Sequence, residues 1–485
     1  MEQKKPSFQK HLSPTHVWAL AFGCVIGWGA FINPGKKFLP NSGVEGTAIA
    51  MVLGAMVMIV IAFAYAYMVP KYPKAGGEFN YSKNCFGKVP AYLCGWFLLA
   101  AYLTNVPMNS TAIGLIVDGL DGTTDILKWG FHYSIAGFEV WLGEIILAMS
   151  ILILFGVLNI LGVKKAGFVQ MVLASMLAAC VFILALTALF SSKTSFANME
   201  PLWGFDRFAA TAAGATTETI DSFAPVGRQG ILSAILATFA IAPWAFVGFE
   251  TIPQAAEEFK FSYKKVMLIM TVAIAFGCFV YVANNTVAAA ALTNWPDRVI
   301  AGEWVLLIAA EEMLGLFGLI ILGVAVSCAV LSGIMGFYLA SSRLMYSMSR
   351  DGYLPKTFSK IDERYGTPRN AMLFCIIISL SGPILGREAL GWFVDMSAIG
   401  ASIGFFFTSA STLVTMKRDR DGSLLLKIMA VLGVVFSVSF VILQLVPIPG
   451  LSGVHFVSES YLMLLVWVVI GIVFFFNRRK YFIEN

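Results

Sequence analysis

The sequence predicts an all-α polytopic membrane protein with twelve transmembrane helices. Of its 485 residues, 58% are hydrophobic and 13% are charged, whereas soluble domains contain about 45–50% apolar and about 25% charged residues. Apolar runs long enough to cross a bilayer recur from Val17 to the last part of the chain. These runs are continuous rather than alternating, which disfavours a β-barrel.

The polar breaks between the apolar runs delimit twelve predicted spans, numbered 1 to 12 in chain order. They lie at 17–36, 44–69, 90–117, 140–161, 167–190, 230–255, 264–290, 313–346, 370–385, 389–415, 426–446 and 458–477.

The basic residues predict the orientation of these spans. With both termini in the cytoplasm, most of the 33 Lys and Arg residues fall in cytoplasmic segments, as the positive-inside rule requires. One missed span would invert every later loop and remove this bias. The net charge of +5 is spread over many short loops, so it does not indicate a nucleic-acid partner.

The long polar segment 191–229 divides the chain into two halves with five spans each. An odd number of spans makes the halves enter the membrane in opposite senses, which is the condition for an inverted repeat. The predicted organisation is a cytoplasmic tail (1–16), a first repeat (17–190), an extracellular loop (191–229), a second repeat (230–415), spans 11 and 12 (416–477) and a cytoplasmic tail (478–485).

Span 1 contains a predicted break. Gly27 and Gly29 flank Trp28 near mid-membrane depth, and glycine allows the backbone to leave helical geometry. Amides freed at such a break favour an anion such as a carboxylate, and freed carbonyls can accept from an ammonium group. A zwitterionic amino acid carries both groups. The alternative is close helix packing at small residues.

Span 6 contains a second predicted break. Pro243, Gly248 and Pro253 interrupt one apolar helix, and Glu250 lies inside it. A carboxylate within the membrane is costly and indicates a functional site, such as a proton acceptor. The alternative is a hydrogen bond that caps the broken helix. Two aromatic residues at this break could close over a substrate or simply pack: Trp244 and Phe246.

Four segments resemble the amino acid–polyamine–organocation (APC) transporter superfamily. They are GCVIGWGAFINPG (23–35), PKAGGEFNYSKNCFG (73–87), WAFVGFETIPQAAEE (244–258) and SSRLMYSMSRDGYLPKTFSKIDERYGTPRNA (341–371). The resemblance implies a LeuT-like APC fold, with a five-plus-five inverted repeat, two peripheral helices and broken helices 1 and 6. It also implies secondary active transport of amino acids or related amines by alternating access.

The resemblance implies substrate-binding roles for residues at the two breaks and on spans 3 and 8. They are Val25, Gly27, Trp28, Gly29, Ala30, Asn105, Trp244, Phe246, Val247 and Phe337. Amides of residues 28–30 would hold the carboxylate. Carbonyls of Val25, Trp244 and Val247 would hold the amine. Asn105 and Phe337 would contact the substrate side chain, and Glu250 would couple transport to protons.

Two positions depart from the family pattern. Trp28 replaces a small residue between the glycines, and we hypothesise that it sets substrate choice. Proton-coupled relatives often carry a lysine in span 5 that mimics a sodium ion, and the alignment places Ser175 there. A sodium-like site would then bind an ion, stay empty or be unused, so we expect a proton as the coupling ion before sodium.

Several alternatives and absences complete the expectations. Substrate–product exchange and a non-transporting amino-acid sensor are alternative functions on the same fold. The four histidines lie in tails or loops, and no Walker sequence occurs, so we expect no metal, no cofactor, no enzymatic activity and no ATP-driven transport. The style of the motifs indicates a bacterial inner (plasma) membrane.

Three further groups have open interpretations. Glu257 and Glu258 with nearby lysines (Lys260, Lys264 and Lys265) form either an inner-gate salt-bridge cluster or a solvated interface. Asp395 is expected to cap or pair rather than bind substrate. Asn284 and Asn285 are candidates to satisfy backbone groups freed by the break in span 6.

Overall fold

The structure, a computed structural model, describes residues 8–121, 125–135, 138–216, 219–220, 222, 230–387, 389–447 and 455–477. The predicted tail 478–485 and part of the loop 191–229 lie outside these residues. Within them, ten helices are long and apolar enough to cross a membrane. The prediction of an all-α, multi-pass membrane protein is confirmed.

The first five spans and their connections are formed by the following elements. Span 1 consists of α1 (Pro14–Val25), α2 (Gly29–Asn33) and a π-helical turn (Pro34–Phe38), and span 2 is α3 (Leu39–Lys71). The short helix α4 (Gly77–Phe86) connects span 2 to span 3, which is α5 (Lys88–Asp121). An antiparallel hairpin of β1 (His132–Ile135) and β2 (Phe138–Trp141) follows, and spans 4 and 5 are α6 (Leu142–Ile160) and α7 (Val163–Phe190).

The remaining elements complete the chain. A 3-10 turn (Phe196–Met199) and α8 (Arg207–Ala213) precede span 6, which consists of α9 (Gly230–Phe239), α10 (Ala242–Ala245) and a 3-10 helix (Phe249–Glu258). Span 7 is α11 (Val266–Ala290), and the short helices α12 (Trp295–Ile300) and α13 (Val305–Leu314) connect it to span 8, which is α14 (Leu316–Arg350). Spans 9 to 12 are α15 (Arg369–Ser379), α16 (Ala389–Asp419), α17 (Leu424–Leu445) and α18 (Ser458–Asn477).

Two predicted spans are not found as long separate helices. The outer half of span 1 runs into span 2 as one helical stretch, Gly29–Lys71, bent at Gly43, whose φ is +63°. Span 9 is short, with 11 residues in α15. The helix α4, the hairpin and the short helices α12 and α13 were not predicted, because segments of that length lack a long apolar run.

Burial separates central from peripheral helices. In the most apolar part of each helix, 72% of span 3 is buried inside the protein, against 28% of span 11 and 11% of span 12. Spans 11 and 12 therefore lie at the periphery, as does span 5, of which 22% is buried, while span 3 packs in the centre against spans 8 and 10. The domain boundaries and the internal repeat stay predictions.

The breaks in spans 1 and 6 lie against each other. Gly248 has a φ of +138°, and a Cβ atom placed on it would lie 2.5 Å from the amide nitrogen of Val25 and 2.6 Å from the carbonyl carbon of Cys24. The neighbouring atoms belong to the backbone, so they cannot move aside as a flexible side chain would. Only glycine fits at the point where span 6 crosses span 1.

We predict that Gly248→Ala strongly destabilises the protein, because it adds both a backbone collision and a left-handed conformation that itself costs about 1–3 kcal/mol. The melting temperature of the purified protein in detergent measures this. Gly391→Ala is the matched control, since a Cβ there meets nothing within 4 Å and alanine favours the helix by about 0.4–1 kcal/mol. Equal melting of Gly248→Ala and wild type would contradict the close crossing.

Candidate substrate site at the crossing of spans 1 and 6

The break in span 1 leaves three amides, those of Gly27, Trp28 and Gly29, without a partner among the described residues. The first helix ends at Val25 because Ile26 is extended (φ −99°, ψ 99°), and the helix restarts at Gly29. Among the described residues, nothing accepts a hydrogen bond from the amides of Trp28 and Gly29. The amide of Ala30 donates to the carbonyl of Gly27 at 3.3 Å. Two of the three amides predicted to hold a carboxylate are thus unused, and the third is engaged in a turn.

At the two breaks, as with the amides, some backbone carbonyls accept a hydrogen bond and others do not. Within the described parts of the chain, the carbonyls of Val25 and Val247 accept no hydrogen bond, whereas the carbonyl of Trp244 accepts from the amide of Val247 at 3.1 Å. Val25 and Val247 flank the contact of Gly248 with span 1. Unused acceptors therefore lie close to the unused amides.

Two indoles cover the break in span 1. A Cβ atom on Gly29 would lie 2.2 Å from Cη2 of Trp244, so the Trp244 ring rests directly on the glycine backbone. The rings of Trp28 and Trp244 have centroids 5.9 Å apart. Both side chains are buried, and the indole N–H of Trp28 has no hydrogen-bond partner among the described residues. In this conformation the predicted carboxylate site is closed by Trp244.

Glu250 caps the break in span 6. Its side chain is fully buried, and Oε2 accepts a hydrogen bond from the amide of Gly248 at 2.8 Å. The other oxygen, Oε1, has no partner among the described residues. The Tyr102 hydroxyl donates to the backbone carbonyl of Glu250 at 3.2 Å. One oxygen therefore serves the structural role that the sequence left open, and the other is available to a proton.

The remaining predicted site residues are buried nearby but have mainly packing roles. The amide of Asn105 donates to the Ala101 carbonyl at 2.8 Å and to Oγ of Ser397 at 2.6 Å, which joins span 3 to span 10. Phe337 packs near Tyr102, with ring centroids 6.2 Å apart. Phe246 makes an edge contact with the ring of Tyr281.

The structure does not bring Ser175 to this site. Ser175 lies on the exposed face of α7, whereas the buried face carries Gln170. Nε2 of Gln170 donates to the carbonyl of Ala19 at 3.2 Å and lies against Gly23 beside Ser332. Span 5 therefore presents a neutral amide to spans 1 and 8. The ion-site role of Ser175 stays a prediction, and the exposed position of Ser175 favours the outcome in which that site is unused.

Sequence reasoning missed Asn109. It lies one helical turn after Asn105 in span 3 and is almost fully buried. Its amide nitrogen donates to the carbonyl of Asn105 at 2.8 Å, while Oδ1 has no partner among the described residues. A Cβ on Gly27 would lie 3.4 Å from this oxygen, so Asn109 faces the break in span 1. Two asparagines four residues apart share one helix face, and that spacing could have revealed it.

Comparison with known proteins identifies the family. Residues 12–475 match the family model described as amino acid permease. The chain belongs to the amino acid permease family. The resemblance to the APC superfamily drawn from four segments is thereby confirmed.

The permease is similar to several characterised transporters. It is 25% identical to cationic amino acid transporter 2, vacuolar, from Arabidopsis thaliana, over 84% of this chain and 58% of that protein. It is 24% identical to the methylthioribose transporter of Bacillus subtilis (strain 168), over 100% and 96%. It is 27% identical to human large neutral amino acids transporter small subunit 2, over 77% and 64%. The chain thus spans about three fifths of the plant relative.

A buried ion pair lies at the C-terminal end of span 6 in the permease. Nε of Arg343 in span 8 lies 2.9 Å from Oε1 of Glu258, and both side chains are 1% exposed. The amides of His11 and Leu12 both donate to the carbonyl of Glu258 at 3.0 Å. The N-terminal segment therefore lies across the C-terminal end of span 6, and we call these two hydrogen-bonded residues, His11 and Leu12, the N-terminal strap.

The expected cluster of Glu257, Glu258 and nearby lysines is not found. Glu257 pairs with Arg350 at 2.8 Å, and none of the described ion pairs joins these glutamates to Lys260, Lys264 or Lys265. Arginines from span 8 take that place because the end of span 8 packs beneath span 6.

Two smaller expectations have clear outcomes. The side chain of Asn284 donates to the carbonyl of Ala30 at 2.9 Å, and that of Asn285 donates to the carbonyl of Gly43 at 3.2 Å. The two asparagines therefore provide hydrogen bonds to backbone carbonyls of spans 1 and 2 rather than to the break in span 6. Asp395 accepts from Ser460 at 2.6 Å, as expected of a pairing residue.

We predict that Glu258→Gln lowers the stability of the permease by about 3–5 kcal/mol, because it leaves the Arg343 guanidinium buried without a counter-charge. The melting temperature should recover in part in the double variant Glu258→Gln/Arg343→Met. The control is Glu257→Gln, whose pair with Arg350 is partly exposed and is worth about 0–1 kcal/mol. Additive losses in the double variant would show that the two residues do not depend on each other.

Proposed function

We propose that this permease is a secondary active transporter of amino acids that works by alternating access around the two breaks. The observation that carries the proposal is the pairing of unused amides (Trp28 and Gly29) with unused carbonyls (Val25 and Val247) at one crossing. Membrane interiors offer no water to satisfy such groups. An α-amino acid supplies a carboxylate for the amides and an ammonium group for the carbonyls.

The side chains around the crossing favour a neutral amino acid. Of the residues described at the crossing itself, Glu250 alone has an ionisable carboxyl group, and one of its two oxygens caps the break. The others are aromatic, aliphatic or amide side chains. The names of the relatives cover cationic amino acids, large neutral amino acids and methylthioribose, so the lining, not the names, supports this choice. Trp244 must move off Gly29 for the carboxylate to bind.

We predict that neutral L-amino acids raise the melting temperature of the detergent-solubilised protein and that their decarboxylated amines do not. A ligand at a hundredfold excess over its dissociation constant stabilises the folded state by about 2.7 kcal/mol. The same screen on Trp28→Ser should give a different ranking of amino acids if Trp28 sets substrate choice.

The reverse outcome would change the assignment. Stabilisation by amines alone would remove the carboxylate role of the Trp28 and Gly29 amides and would indicate an amine carrier. Stabilisation by amino acids without any flux in proteoliposomes would indicate the alternative of a sensor.

We further propose that transport is coupled to protons and that Glu250 takes up the proton. Its Oε1 is buried without a partner among the described residues, and its carboxylate holds the backbone at the break itself. Protonation there would weaken the cap and so link proton binding to the geometry of the substrate site. Substrate–product exchange is the alternative and needs no titrating group.

We predict that Glu250→Gln abolishes the dependence of uptake on external pH, because glutamine keeps an acceptor for the Gly248 amide but cannot ionise. Radiolabelled amino-acid uptake measured over a range of external pH tests this. Glu312→Gln is the control, because Glu312 is exposed on α13. An unchanged pH profile in Glu250→Gln would remove Glu250 from the coupling role.

The cytoplasmic termini and the plasma (inner) membrane stay predictions from the basic residues and the motifs. Plant relatives are named as vacuolar and mitochondrial, so membership of the family does not fix the membrane.

A further inference from the structure

A second carboxyl group, that of Glu78, is buried at the inner end of the protein. Glu78 is the second residue of α4, between spans 2 and 3, and is fully buried. None of the ion pairs among the described residues includes it. The nearby Lys83 on the same helix pairs with Asp351 at 2.6 Å. A buried carboxylate without a counter-charge is costly.

Neutral hydrogen-bond donors from two other elements hold Glu78. The Tyr65 hydroxyl, from span 2, donates to Oε1 at 2.8 Å. Nε2 of Gln254, from the inner half of span 6, donates to Oε2 at 2.6 Å. A hydroxyl can also accept, so a protonated carboxyl can donate to Tyr65 through Oε1 and still accept from Gln254 through Oε2. The geometry therefore suits the neutral acid as well as the carboxylate.

The inner half of span 6 covers this carboxyl group directly. Gly76 and Gly77 have φ values of +98° and +33°. A Cβ atom on Gly77 would lie 2.7 Å from Cβ of Pro253 and 3.1 Å from Nε2 of Gln254. Gly77 therefore brings α4 into close contact with span 6, while Gly76 packs against Ser347 of span 8. If this half of span 6 moved away during opening, Glu78 would lose Gln254 and meet water.

Protonation and closure are therefore linked. Burial raises the pKa of Glu78 from its ordinary value of 4.5 to about 8, against the opposing effects of a backbone hydrogen bond and the Tyr65 hydroxyl. Because the pKa is raised in the closed form, the stabilisation of that form is complete below the ordinary pKa. It is lost as the pH rises through about 8. Opening releases the proton to water, leaving the electron pair on the carboxylate oxygen.

The groups that face Glu78 from the surrounding elements are mostly neutral. The titratable ones are Tyr81 on α4, Tyr65 on span 2, Cys94 and Tyr102 on span 3, and Glu250 on span 6. The charged groups at the ends of spans 8 and 10 have partners of their own: Arg343 with Glu258, Arg350 with Glu257, Asp351 with Lys83, and Asp419 with Lys71.

We propose that Glu78 is a proton-binding switch of the inner gate, which holds the inner half of span 6 on α4 when protonated and favours its release when ionised. The proposal rests on the alternating access proposed above and concerns a different carboxyl group from the substrate-site Glu250. It makes Glu78 a positioning residue that does not touch the substrate.

The test is hydrogen–deuterium exchange of the full chain in lipid nanodiscs, read on peptides that cover 249–258, below and above pH 8. In the wild type, exchange of this segment should rise with pH beyond the intrinsic rise of amide exchange. Glu78→Gln imitates the neutral acid and should keep exchange low at every pH. Glu312→Gln should retain the wild-type response, and Glu250→Gln should retain a response whose midpoint moves to lower pH, because the Glu250 carboxylate contributes to the raised pKa of Glu78.

A second variant guards against misfolding of Glu78→Gln. Tyr65→Phe removes a donor that stabilises the carboxylate, so the midpoint of the pH response should move to higher pH. The proposal is overturned if Glu78→Gln responds to pH like the wild type, if Glu250→Gln abolishes the response instead, or if Tyr65→Phe leaves the midpoint unchanged. Exchange needs no substrate, so failure of the switch is separate from absence of flux in proteoliposomes, which would count against the transport function.

Discussion

The contact between Gly248 and the backbone of Cys24 and Val25 is the constraint on which the rest of the structure depends. Two unwound segments can cross inside a membrane only if their backbones touch and their polar groups find partners. Glycine allows the contact, and side chains from elsewhere satisfy most of the freed groups. Glu250 takes the amide of Gly248, and Asn284 takes the carbonyl of Ala30. The groups left over are those to which we assign the substrate.

The inner half of span 6, residues 249–258, is also held in place, and its contacts are polar. Glu78, the Arg343–Glu258 pair and the N-terminal strap all bind its inner half. In a region of low dielectric such contacts are strong when made and costly when half made. The structure shows this half of span 6 fully docked, and the alternating access proposed above requires these contacts to be broken together.

The spans and the two breaks could be predicted because hydrophobic length, glycine and proline act locally. The hydrogen-bond and ion-pair partners of buried polar groups could not be predicted in this way. Glu258 was expected beside lysines close in sequence, yet it pairs with Arg343 from span 8. Ser175 was placed at an ion-like site, yet the rotation of α7 turns Gln170 inward. Each of these contacts depends on how helices distant in sequence are rotated against each other.

By itself the sequence determined that this is a many-spanning helical membrane protein with broken spans 1 and 6, because the bilayer requires long apolar helices and makes each interruption of them conspicuous. The tertiary structure decided which groups at those interruptions remain unpaired. It closed the Gly29 amide beneath Trp244, turned one oxygen of Glu250 to the backbone, and buried Glu78 under Gln254. The reason is that hydrophobicity is carried by each residue alone, whereas the satisfaction of a buried polar group depends on atoms brought to it by other helices.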